Sequence, residues 1–216
     1  MIRNIRVVLS SFIISLLSMA VWAGPAWADT YGNFSALKAH NKANVDYKIV
    51  SQDTSSSTAV IAIHGGNIER ETTEVASAVA NLGGLDFYSF EGIKANSTSL
   101  HITATHFNEP TARSLVAKSS KTLSIHGCYG TSQALTNLGG LDKALGKKIQ
   151  SNLQTAGFKV VRSPGNIGGT ASGNICNRNT IHKGVQLELS VPLRNQLAKN
   201  SKDLDRYVAA LGAALK

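Results

Sequence analysis

The 216-residue chain has few cysteines, few aromatics and few acidic residues. Each shortage removes a class of protein. Two cysteines, Cys128 and Cys176, allow at most one intramolecular disulfide. No serine stands in a G-x-S-x-G elbow, and pairing the two cysteines would consume both thiols, so neither common nucleophile is offered. Aromatic residues make up 6% and the lysines are scattered. That leaves no stacking platform of the kind nucleic acid requires, and nucleic acid is not expected as a partner. Only 13 acidic residues face 22 basic ones, for a formal charge of +9. Such a balance draws a protein towards anionic polymers or surfaces. At 43% hydrophobic and 16% charged, the chain has the composition of a globular protein. Its length fits one domain with a substantial core.

The first 28 residues read as a leader. Arg3 and Arg6 precede an apolar stretch from Val7 to Trp22, and Ala26-Trp27-Ala28 forms an A-x-A-like cleavage site. The apolar stretch is interrupted by serines and falls short of the ~20 residues of a spanning helix. An uncleaved anchor is the competing reading. Cleavage after Ala28 is expected, giving a secreted chain of residues 29–216, a single domain of net charge +7 without Arg3 and Arg6. No lasting membrane anchor is expected, and the chain is expected to act as a monomer. Export permits a Cys128–Cys176 disulfide, which is expected because both cysteines fall in polar, glycine-containing segments.

Periodicity predicts helices at Phe34–His40, Glu69–Leu82, Leu141–Ala156 and Ser201–Leu215, and a helix or turn from Pro110 to Val116. Strands are predicted at DYKIVSQ, Ala59–Ile63, Leu85–Phe90, Leu100–Thr105, Lys121–Ile125, Phe158–Arg162 and Gly184–Ser190. Ser163–Lys183 reads as a long polar loop. Alternating strands and helices imply an α/β fold with a mostly parallel sheet, whose site lies outside the carboxyl ends of the strands. The hexapeptide NLGGLD occurs at Asn81–Asp86 and Asn137–Asp142; two copies with unlike flanks do not make a repeat fold.

The chemistry concentrates where strands end. AVIAIHGG places His64 at a strand exit, LSIHGCYG places His126 at another, and Glu69 follows the glycine turn after His64. Parallel strands bring both histidines to one sheet edge. Two imidazoles and one carboxylate are the shell of a catalytic zinc site with a position left for water. In GVQLELS, alternation puts Val185, Leu187 and Leu189 on one face and Gln186 and Glu188 on the other. A carboxylate flanked by leucines is costly unless paired or used, and Glu188 is the expected general base. Two arginines, Arg178 and Arg194, flank that strand, and Arg178 is the preferred fork for a substrate carboxylate.

The segments YGNFSALKAH, DYKIV, AVIAIHGGNIE, DFYSFEG, LHITAT-x-F-x-EP, LSIHGCYG, NICNR and GVQLELS occur in an order that resembles the phage-type poly-γ-glutamate hydrolase family of zinc peptidases. The resemblance spans roughly Tyr31 to Arg194. It implies a fold similar to zinc carboxypeptidases, with a mixed or mostly parallel twisted sheet and helices on both faces. It implies zinc on His64, Glu69 and His126, with Glu188 as base and γ-glutamyl amides of a polyanion as substrate. LHITAT is also family-like, which keeps His101 as a rival third ligand or a substrate contact. Two other readings stand beside this one: a zinc amidase or deacylase for small acyl-amino acids or cell-wall peptides, and a secreted module that binds anionic polymers without cutting them.

Overall fold

A computed structural model describes residues 29–216, so the expected leader and its cleavage site lie outside the described residues. Seven strands form one mixed sheet: β1 (Tyr47–Gln52), β2 (Thr58–Gly66), β3 (Asp86–Gly92), β4 (Lys121–Cys128), β5 (Thr136–Gly140), β6 (Val160–Arg162) and β7 (Val185–Ser190). Their spatial order is β1-β3-β2-β4-β7-β5-β6. The four middle strands β3, β2, β4 and β7 run parallel, while β1 and β5 pair antiparallel with β3 and β7. Among the described residues no helix is long and apolar enough to cross a membrane.

Among the described residues six helices cover the sheet: α1 (Phe34–His40), α2 (Thr72–Gly83), α3 (Pro110–Lys118), α4 (Lys143–Thr155), α5 (Val191–Lys199) and α6 (Ser201–Leu215). Local chemistry sets their ends. Asp142 accepts the Leu145 N–H to start α4, and Asn200 accepts two N–H groups at the start of α6. Alternation along β2 divides the core. Val60 and Ala62 pack with Val75 and Val79 of α2, beneath Ile149 of α4 and Leu211 of α6. Ala59, Ile61 and Ile63 join Leu37 of α1 and Leu115 of α3 in a second cluster. Both faces of the sheet are therefore buried, which suits the near-continuous apolar run of a parallel strand.

The expected α/β architecture with helices on both faces is what the structure has, and three elements differ. Leu100–Thr105 is not a strand: a short 3-10 turn at Ser97–Leu100 leads into an irregular stretch. Leu100 and Ile102 are fully buried there, so their alternation reflects packing rather than a ladder. Strand β5 and helix α5 were not expected from periodicity. β5 is the second NLGGLD copy, whereas the first copy ends α2 and enters β3, so one hexapeptide serves two structures.

The expected disulfide is also corrected. Both cysteines are free and buried. Cys128 is the register partner of Ser190 at the carboxyl end of β7, whereas Cys176 packs against Gly184, just before that strand begins. The length of β7 separates them, on the order of 15–20 Å at ~3.3 Å per residue. A disulfide needs Cα atoms within roughly 7 Å.

Candidate metal centre

His64 leaves β2 at a register shift between Ala62 and Gly65, a bulge that re-aims the side chain. Glycine is required immediately after it. A Cβ at Gly65 would strike the hydroxyls of Thr73 and Ser89, and Gly66 has φ +62° with Gly92 O close by. The turn closes when the Glu69 N–H donates to His64 O at 2.9 Å, and the Thr72 hydroxyl donates to Glu69 O at 2.8 Å. His64 and Glu69 are thus fixed to each other by backbone as well as by side chain. His126 arrives on the adjacent parallel strand β4.

Three side chains meet there. His64 Nδ1 lies 3.0 Å from Glu69 Oε1 and 3.1 Å from His126 Nδ1, while His126 Nδ1 lies 3.6 Å from Glu69 Oε2. One donor atom from each falls within 4.8 Å of the others, and all three residues are buried. The far nitrogens are anchored: His64 Nε2 lies 2.9 Å from Ile102 O, and His126 Nε2 lies 2.9 Å from Ser124 Oγ. A carbonyl can only accept, so it fixes the His64 proton on Nε2 and turns the Nδ1 lone pair inward.

These residues fit a zinc ion. Two nitrogens bound tetrahedrally at ~2.05 Å stand about 3.3 Å apart, close to the separation of the two Nδ1 atoms. Two imidazole nitrogens facing each other beside a carboxylate form a donor set that a cation satisfies. Glu69 is already in the required state. When a proton rather than a metal stands at His64 Nδ1, burial raises the Glu69 pKa, but the His64 charge and hydrogen bonds with His126 and His64 outweigh this and hold it well below the usual carboxylate range.

Glu188 is the register partner of His126 across β4 and β7, and it is 6% exposed. Val185, Leu187 and Leu189 belong to the helix-covered core, while Gln186 Nε2 donates to Glu188 Oε1 at 2.7 Å on the other face. Burial, then repulsion from Glu69, raises the Glu188 pKa to about 8. β7 is an interior strand, so this carboxylate does not face open solvent from a sheet edge.

His101 is near but outside the donor triad. Its ring centroid is 4.0 Å from that of His64, and its Nε2 is 4.0 Å from Glu69 Oε1. Its Nδ1 is held at 2.7 Å by Asp29, whose other oxygen accepts the Thr103 N–H. His64 and burial lower the His101 pKa to about 4, against the opposing pull of Glu69 and Asp29. Asp29 was missed at the sequence level, and no local signal marks it, because its partner is 72 positions away.

Arg178 is not beside the triad. Its Nε donates to Gly173 O, and it lines an open groove of about 700 Å³ with Asn108, Arg113 and His182; none of the triad lines that groove. Arg194 lies beside β4 at the level of Gly127. It is 5% exposed and its guanidinium packs against Gly127, on the face of the sheet that carries Ile125 and Leu189.

Comparison with known proteins agrees with this geometry. A family model described as poly-gamma-glutamate hydrolase matches residues 31–209. The SPβ prophage-derived protein YoqZ of Bacillus subtilis (strain 168) is 38% identical over 173 residues, covering 79% of this chain and 62% of its own length. The chain therefore spans about three fifths of that relative. YmaC of the same organism is 33% identical, covering 87% of this chain and 84% of its own. A solved bacteriophage poly-γ-glutamate hydrolase superposes with a TM-score of 0.82 at 31% identity, covering 87% of this chain and 96% of that one. A zinc-free form of YndL superposes with a TM-score of 0.77 at 30% identity, covering 87% and 98%.

Proposed function

The chain belongs to the poly-γ-glutamate hydrolase family, and from that premise we propose that it is an exported, monomeric zinc hydrolase that cuts γ-glutamyl amide bonds in an anionic polymer. One observation carries the reading: His64 Nδ1, His126 Nδ1 and a Glu69 oxygen converge within 4.8 Å, with the remote nitrogens of both imidazoles anchored. His64, Glu69 and His126 hold the ion. When bound, zinc supplies Lewis acidity to a carbonyl oxygen and eases ionisation of water.

The protein's own groups do the rest. Glu188 takes the proton of the attacking water and delivers it to the leaving nitrogen. Gln186 holds the Glu188 carboxylate in place. Glu69 has one oxygen on His64 and the other on the Gly127 N–H, so its orientation does not depend on substrate. His101, steadied by Asp29, contacts substrate beside the triad rather than completing it. Arg178 and Arg113 in the open groove attract carboxylates of the polymer away from the scissile bond, and the positive net charge favours encounter.

The test uses purified residues 29–216. Elemental analysis is expected to give about one zinc per chain, and γ-linked polyglutamate is expected to shorten while α-linked polyglutamate does not. Zinc present with no cleavage of the γ-linked polymer, but with cleavage of acyl-amino acids, would replace the substrate class. Polymer binding with neither zinc nor cleavage would make the chain a binding module.

A further inference from the structure

The long polar loop Ser163–Lys183 grips the Glu188 carboxylate through two side-chain amides. Asn174 opens the 3-10 turn Ile175–Asn177, and its Oδ1 accepts the Cys176 N–H at 3.0 Å. A backbone N–H can only donate, so that contact fixes which end of the Asn174 amide carries its hydrogens. Asn174 Nδ2 then donates to Gln186 Oε1 at 2.8 Å, which fixes the second amide in turn. Gln186 Nε2 donates to Glu188 Oε1 at 2.7 Å and to Ile167 O at 3.3 Å. Both N–H groups and the oxygen of the Gln186 amide are thereby used, and Asn174, Gln186 and Glu188 are all buried. Polarity runs one way, from a loop backbone N–H to a carboxylate oxygen.

Turning Gln186 over is costly. Its oxygen would then face Glu188 Oε1 and Ile167 O, and its N–H groups would face those of Asn174, so three buried contacts would set like against like. Loop backbone also packs directly on this side chain. Gly169 has φ +60°, and a Cβ there would lie 2.8 Å from Gln186 Cβ and 2.9 Å from its Oε1. The Ile175 N–H donates to Ala104 O at 3.0 Å, in the same irregular stretch whose Ile102 O holds His64 Nε2. One segment thus steadies both a triad histidine and the turn that carries Asn174. The second oxygen of Glu188 is left open. Among the described residues Oε2 takes no hydrogen bond, yet it is not one of the buried atoms that lack a partner, so solvent reaches it. Its side chain shares a sheet face with that of His126, the register partner of Glu188.

We propose that Asn174, acting through Gln186, is a positioning residue for Glu188, and that the two amides leave Oε2 as the atom that carries the catalytic proton. Oε1 is committed to accepting a hydrogen bond. The proton taken from the attacking water therefore sits on Oε2 and leaves from that same atom to the amide nitrogen as the carbon–nitrogen bond breaks. The carboxylate ends the cycle as it began, and the oxygen of the water ends in the newly formed carboxyl group. This rests on the hydrolase reading above. It gives the long polar loop a role, since loop backbone decides which carboxylate oxygen works.

Asn174→Asp tests the polarity, because it keeps the shape and the acceptor for the Cys176 N–H but cannot donate to Gln186. Gln186 then turns to donate to the new carboxylate and presents its own oxygen to Glu188, which suits only a Glu188 already protonated on Oε1. With zinc-loaded protein and γ-linked polymer, kcat is expected to fall about tenfold or more, with KM within about twofold and zinc content unchanged. In the Glu188→Gln background, where the side-chain amide can present either polarity, the same substitution is expected to change the residual rate by less than about twofold. Equal losses in the two backgrounds, a loss confined to KM, or no loss would overturn the assignment. Gln186→Met covers the case in which Asn174→Asp does not fold: it removes the donor at similar length, the same contrast between backgrounds is expected, and equal losses count against the proposal. Thermal melting reads the coupling without turnover. Asn174→Asp is expected to lower Tm by about 3 °C or more beyond its effect in Glu188→Gln. That difference supports the assignment even if no γ-glutamyl bond is cut, which separates its failure from failure of the hydrolase reading; equal shifts overturn it.

Discussion

His126 and Glu188 face each other as register partners on adjacent parallel strands. One strand therefore supplies a triad histidine and its neighbour supplies the carboxylate that would handle protons beside it. No loop intervenes, so their spacing is as rigid as the sheet.

Glu188→Gln tests that division of labour. The amide keeps the volume and one acceptor but cannot take a proton. Zinc content should remain about one per chain while turnover falls by roughly 10²- to 10⁴-fold, the usual worth of a positioned base. Turnover on γ-linked polymer, with elemental analysis of the same sample, reads both. A variant as fast as wild type would remove Glu188 from the mechanism.

The triad predicts coupled loss of metal and stability. His64→Ala or His126→Ala should lower zinc content well below one per chain. In wild type, zinc at 100 times its dissociation constant should stabilise the fold by about 2.7 kcal/mol. For a chain of this size that corresponds to a rise in Tm of roughly 5–10 °C, reversed by a chelator. Differential scanning calorimetry with and without zinc measures it, and a wild-type Tm indifferent to zinc would argue that the three residues hold no ion.

What the sequence disclosed follows from how local each feature is. His64 and His126 were legible because each ends an apolar strand run just before a glycine, and Glu69 because it follows the glycine turn after His64. Glu188 was legible because β-alternation separates it from three buried leucine and valine neighbours. Strand β5 was not: TNLGG has little apolar content, and its pairing with β7 and β6 is decided by the sheet. Helix α5 was hidden because VPLRNQLAK is short and its proline sits in the first turn. Leu100–Thr105 misled because burial can impose alternation without a ladder. The disulfide misled because sequence shows the loop character of two cysteines but not that β7 lies between them.

His101 and Asp29 separate a ligand from a positioning pair. His101→Ala should leave zinc at about one per chain, because the triad is complete without it. Asp29→Asn should also retain zinc, and is expected to cost about 10- to 100-fold in turnover, as loss of an orienting partner commonly does. Zinc lost from His101→Ala would make His101 a ligand, and full activity in Asp29→Asn would reduce its contact to packing.

The strand register makes a firm statement about the thiols. Cys128 and Cys176 sit at opposite ends of β7, and burial pushes the Cys176 thiol up to about 12. The thiolate is the reactive form, so near pH 8 Cys176 should be on the order of 10³-fold slower than an ordinary thiol, before burial slows access further. A thiol reagent should therefore count no rapidly reacting Cys176 in the native protein and two thiols after denaturation without reductant. The intact mass without reductant should match two free thiols. A mass lower by two hydrogens, with the cross-link mapped to Cys128 and Cys176, would contradict the register of β4 on β7 and with it the pairing of His126 with Glu188.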